Sequence, residues 1–309
     1  MRKSLLALGS VAVALLAAAA CSDANTLALD QNQVLAAATD QLGNMMDTTF
    51  GVSGRASSDG AATIGGSAPA LAPAAIDSVT APLFWGRLRI VPGGPRPIFH
   101  RDVTVQGDSA WVELTVTFQG LFLVDTSADT TFNPSAKPLD IQMHQSAVFV
   151  RDAQRPHGWR AVELSLQNWQ DTDLSTRTVD VTQVQVSVNG VVTFTATDPD
   201  SLYDVVNRIP RLHVGDTISV TASVSNTTGG SFVPSTFVFL HVRHADLSGV
   251  YWRRVPMRDN GDGTYSRTWI ARRTGVDRFI VDAIDANTLE LGTANNYRAN
   301  EWGIPYRIE

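Results

Sequence analysis

The sequence predicts a mainly β protein: an antiparallel β-rich N-terminal domain with one helix, followed by a β-sandwich. Three observations carry this expectation. From residue 83 onward, apolar and polar residues alternate over many short segments, the period of a strand with one buried face. Turn chemistry separates those segments at Pro92-Gly93-Gly94-Pro95, Gly107-Asp108 and Asn189-Gly190. Apolar residues take helical spacing in one stretch, 27–46.

The first 21 residues precede that pattern. Arg2 and Lys3 lead into an apolar run from Leu5 to Ala20, which ends at Cys21, the single cysteine of the chain. Basic residues, a short apolar core and small residues before a cut are the parts of a secretory signal, here 1–20. The run falls short of the ~20 residues a spanning helix needs. Leu15-Leu16-Ala17-Ala18-Ala19-Ala20-Cys21 resembles a bacterial lipoprotein signal, whose processed cysteine carries diacylglycerol and an N-terminal acyl chain such as palmitate. The resemblance implies lipidation of Cys21 and makes membrane lipid a partner. With Ser22 following the cysteine, it implies anchoring to the outer membrane of a Gram-negative cell envelope, with the side left open. The alternative is a secreted protein cut near Ala20, whose exposed thiol would be prone to oxidation.

Hydrophobic content of 44% and charged content of 17% suit a globular protein and exclude a disordered one. With Cys21 consumed by lipid, no disulfide can form, so each core must stand on apolar burial. Net charge is -6, or -8 without Arg2 and Lys3, which argues against nucleic acid as a partner.

Residues 21–26 read as a polar tether. Leu27, Val34, Leu35, Ala38, Leu42, Met45 and Met46 then define the helix. Residues 51–78 are rich in Gly, Ser, Ala and Pro and read as a flexible linker inside a first domain spanning 27–172. Strands are expected over 83–91, 98–105, 110–118, 141–150 and 158–168. In the third of these, Val112, Leu114, Val116 and Phe118 share one face and Trp111 takes the other. The polar stretch 171–177 marks a boundary. Strands at 179–188 and 191–197 flank Asn189-Gly190, and a second domain occupies 178–309.

Two stretches carry family resemblances. The segment Val105 to Val112, with Arg151 and Gly158-Trp159-Arg160-Ala161-Val162, is similar to the strand pattern of cone-shaped folds of the nuclear-transport-factor-2 type. From His213 the chain resembles a bacterial immunoglobulin-like domain. Val214-Gly215-Asp216 leads into an early strand, and Asp262-Gly263-Thr264-Tyr265 is similar to a hairpin of filamin-like and invasin-like repeats. That resemblance implies an immunoglobulin-like sandwich, with Tyr265 packed near its corner and Gly275 to Ala283 as the closing strand. It implies no activity.

Chemistry is sparse. No nucleophile motif or HExxH occurs, and no catalytic residue or cofactor is expected. His241 and His244, three apart on a strand, fall on opposite faces and are not read as a metal pair. Asp198, Asp200 and Asp204, Asp259 and Asp262, and Asp282 and Asp285 are the residues to ask about for calcium; Asp and Asn are equally the ordinary residues of turns. Trp111 and Trp302, the latter in a tail beyond the strand pattern, suit sugar or protein binding if exposed. Arg253, Arg254, Arg267 and Arg278 are the candidate anion-binding patch, part of a run of seven arginines within 26 positions. The expected function is a lipid-anchored envelope protein with a non-enzymatic binding or assembly role, its partner an envelope protein or an anionic glycan. The alternatives are an envelope receptor for carbohydrate or small molecules, and a polymer hydrolase.

Overall fold

A computed structural model describes residues 27–46, 84–89, 93–125, 134–228, 235–246, 249–289 and 297–309. The signal expected at 1–20, the lipidation expected at Cys21, the tether expected at 21–26 and the linker expected at 51–78 lie outside the described residues.

Helix α1 spans 27–42 and passes into a 3-10 turn, Gly43–Met45. Val34, Ala37, Ala38 and Leu42 form its buried stripe, at the spacing of one helix face. Strands follow in order: β1 Phe84–Leu88, β2 Ile98–Gln106, β3 Ser109–Asp125, β4 Ser135–Arg151, β5 Trp159–Leu164 and β6 Gln167–Asp171. Then come β7 Val179–Val188, β8 Val191–Ala196, β9 Tyr203–Asp204, β10 Arg211–Leu212 and β11 Thr217–Asn226. The series closes with β12 Thr236–Asp246, β13 Gly249–Pro256, β14 Arg258–Asp259, β15 Thr264–Ile270, β16 Gly275–Asp285 and β17 Ala299–Ile308. The protein is mainly β and its long pairings are antiparallel, as the sequence predicts.

Two sheets form. The larger has twelve strands with the path β1-β3-β4-β6-β17-β16-β12-β13; the smaller runs β14-β15-β11-β7-β8. The larger sheet is rolled. Trp85, Arg87 and Arg89 of the β1 segment point inward and meet residues of β16, β17 and β13 from across the roll. At the two ends of the path, Arg254 of β13 donates to the carbonyl of Trp85 on β1 at 3.1 Å. Inward residues include Phe118, Phe122, Met143, Trp169, Phe239 and Ile280.

The outer face of β12, β16 and β17 packs against the smaller sheet. Val238, Leu240, Phe279, Val281, Trp302 and Ile304 meet Val184, Val186, Ile218, Val220 and Tyr265 there. β16 and β17 are therefore buried on both faces, and their sequences lose the alternation of half-buried strands. This explains Trp302. It belongs to a central strand, not to a tail, and is buried.

The boundary expected at 172–178 does not divide the cores. β6 pairs with β17, and β16, β12 and β13 extend the same sheet. The sandwich expected from 178 onward thus takes its second layer from a sheet that also contains β1 to β6. The one helix expected before the strands is α1, the single α-helix among the described residues. Its 3-10 turn closes one end of the roll, where Gln145 donates to the Met45 carbonyl and Arg278 to the Asn44 carbonyl.

Candidate functional site

The densest polar chemistry lies inside the roll. Asp282 of β16 and Glu301 of β17 are directly paired residues on neighbouring strands, and both point inward. Two carboxylates opposite each other repel. The β1 segment supplies the countercharge. Strand alternation in Trp85-Gly86-Arg87-Leu88-Arg89 sends both arginines to the same side. Arg87 donates to both oxygens of Asp282 at 2.7 Å, and its Nε donates to the Tyr297 hydroxyl at 2.7 Å. The same Nε lies 3.5 Å from Glu301. Arg89 donates to both oxygens of Glu301 at 2.8 and 3.0 Å and covers the Trp169 ring at 4.8 Å. His241 of β12 reaches Asp282 Oδ2 at 2.9 Å.

Electrostatics follow from this geometry. Burial pushes the Asp282 carboxyl up, but Arg87 and His241 outweigh it and hold the group well below the usual carboxylate range. Burial raises the Tyr297 hydroxyl well above its ordinary value. Asp171, at the end of β6, behaves oppositely. Burial pushes its carboxyl up to about 7, against the pull of Arg298, Arg87 and Arg177 and with a push from Glu301. Its Oδ2 is buried without a hydrogen-bond partner.

The candidate arginine patch does not assemble. Arg278 is 0% exposed and Arg254 6% exposed; both point into the roll. Arg254 stacks on Trp85 at 3.4 Å and Arg278 on Trp252 at 5.0 Å. Arg253 is exposed on the opposite side of β13. Arg267 lies on β15 in the other sheet and is half-buried, 3.4 Å from the Pro256 carbonyl. The expectation assumed one solvated face per strand, and β16 has none.

Apart from Asp282 inside the roll and Asp200, which lies 3.5 Å from His144, the aspartates considered for calcium accept hydrogen bonds in turns. Asp198 accepts from the Asp200 amide, Asp204 from the Val206 and Asn207 amides, Asp259 from the Gly261 amide and Asp262 from Thr264. Asp285 accepts from Thr178, Thr228 and the Asn287 amide. Among the described residues, no three His, Cys, Asp or Glu side chains gather as a metal-ligand set. Tyr265 is buried, and burial pushes its hydroxyl up to about 12. Trp111 is 40% exposed on the outer face of β3.

Sequence reasoning missed the cluster of Arg87, Arg89, His241, Asp282, Tyr297 and Glu301. One signal was available: charged residues set inside apolar strand sequence, as in Phe279-Ile280-Val281-Asp282-Ala283-Ile284. No family model, curated protein or solved structure matches this chain. Among the described residues, no helix is long and apolar enough to cross a membrane.

Proposed function

We propose that this chain is a lipid-anchored cell-envelope protein, held to the outer membrane through acylated Cys21, with a binding or assembly role and no catalytic one. The observation that supports the non-catalytic reading is the state of the buried His–Asp pair inside the roll. His241 and Asp282 resemble a general-base pair in distance, yet both are 0% exposed, and Arg87 occupies both carboxylate oxygens. A carboxylate so engaged holds strands together and has no lone pair facing a substrate. The anchor is tested directly. Cys21→Ala should leave the precursor unprocessed and remove acyl labelling; a native protein that carries no acyl label and enters the aqueous phase of a detergent split would refute it.

A second reading, a carbohydrate receptor, has one observation in its favour. Trp111 is flanked on the outer face by Thr104 of β2 and Val148 of β4, and Glu113 and Asp102 follow one step along. An exposed indole beside carboxylates and a hydroxyl is the chemistry of a sugar platform. Oligosaccharide titration of the native protein and of Trp111→Ala separates this reading from the first.

A further inference from the structure

We infer that the β2 edge of the rolled sheet, with the first turn of α1 above it, is the face that lies against the bilayer, a reading that rests on the Cys21 anchor. Cys21 precedes Leu27 by six residues. Six residues of any conformation reach at most about 20 Å. A membrane holding Cys21 must therefore come within that distance of the start of α1.

The structure puts exposed apolar side chains on the first turn of α1 and on the strand beneath it. Gln31 donates to the Val103 carbonyl of β2 at 2.9 Å, which fixes the α1 N-terminus over the middle of that strand. Leu27 lies about one turn, roughly 5 Å, beyond Gln31. Leu27 and Leu29 are exposed, Leu29 at 58%. Phe99 lies four residues along β2 from Val103, about 13 Å away and on the same face. It is exposed, and its neighbour Ile98 is the second most exposed large apolar residue described, at 64%. Trp111, on the next strand inward, faces outward opposite Thr104.

Strand β2 pairs with β3 along one side, and no described strand pairs with the other. Its first five residues are all exposed. His100, Arg101 and Asp102 charge the middle of this edge, but Ile98 and Phe99 leave its beginning apolar and uncovered. A lipid headgroup layer covers it: apolar side chains enter the interface, and headgroups and water satisfy the free backbone groups. Val191, on the end strand β8 of the other sheet, is equally apolar and exposed and serves as the contrast.

The test uses the natively acylated full-length mature protein in vesicles of phosphatidylethanolamine and phosphatidylglycerol. Acylation consumes Cys21, so an introduced cysteine is the one thiol open to a fluorophore. Leu29→Cys, Phe99→Cys and Val191→Cys place the dye at exposed positions that leave the core intact. Spin-labelled lipids should quench the dye at 29 and 99, with loss of most of its emission, and leave the dye at 191 unchanged. The mass of the N-terminal peptide reports acylation in each sample. Acylated protein whose dye at 29 and 99 is no more quenched than at 191 overturns the membrane face and leaves the anchor standing. Absence of the acyl group overturns both. Concentration-dependent burial of the dye at 99 without lipid quenching would mean that β2 pairs with a second copy, and would overturn the membrane face too.

Discussion

Asp282 and Glu301 are placed by strand register in a position that neither could hold alone. Arg87 is the residue that makes their apposition tolerable, because it bonds one and lies 3.5 Å from the other. Removing one partner of a buried ion pair is far more damaging than replacing both. Arg87→Met should therefore destabilise the fold by about 3–5 kcal/mol, and adding Asp282→Leu should recover part of that loss. Urea midpoints of the two variants check this; equal stability of Arg87→Met and wild type would rule it out. Asp171 gives a pH-dependent counterpart. Its folded-state pKa, about 7, lies above the ordinary 3.8, so the fold favours the protonated carboxyl. The stabilisation is fully present below about pH 4 and is lost as pH rises through 7. Asp171→Asn should therefore gain on wild type by on the order of 1–4 kcal/mol at pH 8 and gain little at pH 3. A gain of the same size at both values would contradict the assignment. Tyr265 was legible from its hairpin, and it is buried as expected. Arg254 and Arg278 were not, because charge density along a sequence carries no sign of which face each residue takes.

Elements were legible where one face meets solvent. α1 and β3 show clean periodicity; the structure places α1 near its expected bounds, starts β3 where expected and carries it past 118 to Asp125. β17 was missed because both of its faces are covered, so Asn300-Glu301-Trp302-Gly303-Ile304 has no alternation to detect. The close approach of the end of β1 to β3 was also invisible, since it relies on an absent side chain. A Cβ at Gly120 would lie 2.2 Å from the Leu88 carbonyl oxygen, and backbone cannot yield as a side chain does. Gly120→Ala should push β1 away from β3 at a cost of about 1–3 kcal/mol or more. Hydrogen exchange at residues 84–88 should then rise above that of β4. Gly190, at φ +85 in the β7–β8 turn with open space around it, is the control. Gly190→Ala should lose about 1 kcal/mol through backbone strain alone and leave β1 protected.

At the scale of the molecule, the smaller sheet was foreseeable and the sharing of the larger one was not. Composition shifts mark where polar stretches lie, but pairing between β6 and β17 links residues more than 130 positions apart, as in Gln167 with Gly303. A fragment of 178–309 would expose Phe239, Ile280, Asp282 and Glu301 to water together. It should not unfold cooperatively on its own, and a sharp calorimetric transition from that fragment would show that the roll is dispensable to the second layer. The position of β17 has a further consequence, in time instead of space. It is synthesised after the other sixteen described strands, and it sits between β6 and β16 in the larger sheet. Everything made earlier on the β6 side must wait beside an open edge until residues 299–308 exist. The nascent chain therefore stays unclosed while all the described strands before β17 are made. Commitment to the native arrangement comes only once residues 299–308 have been made, when one strand joins two halves that have had no edge in common.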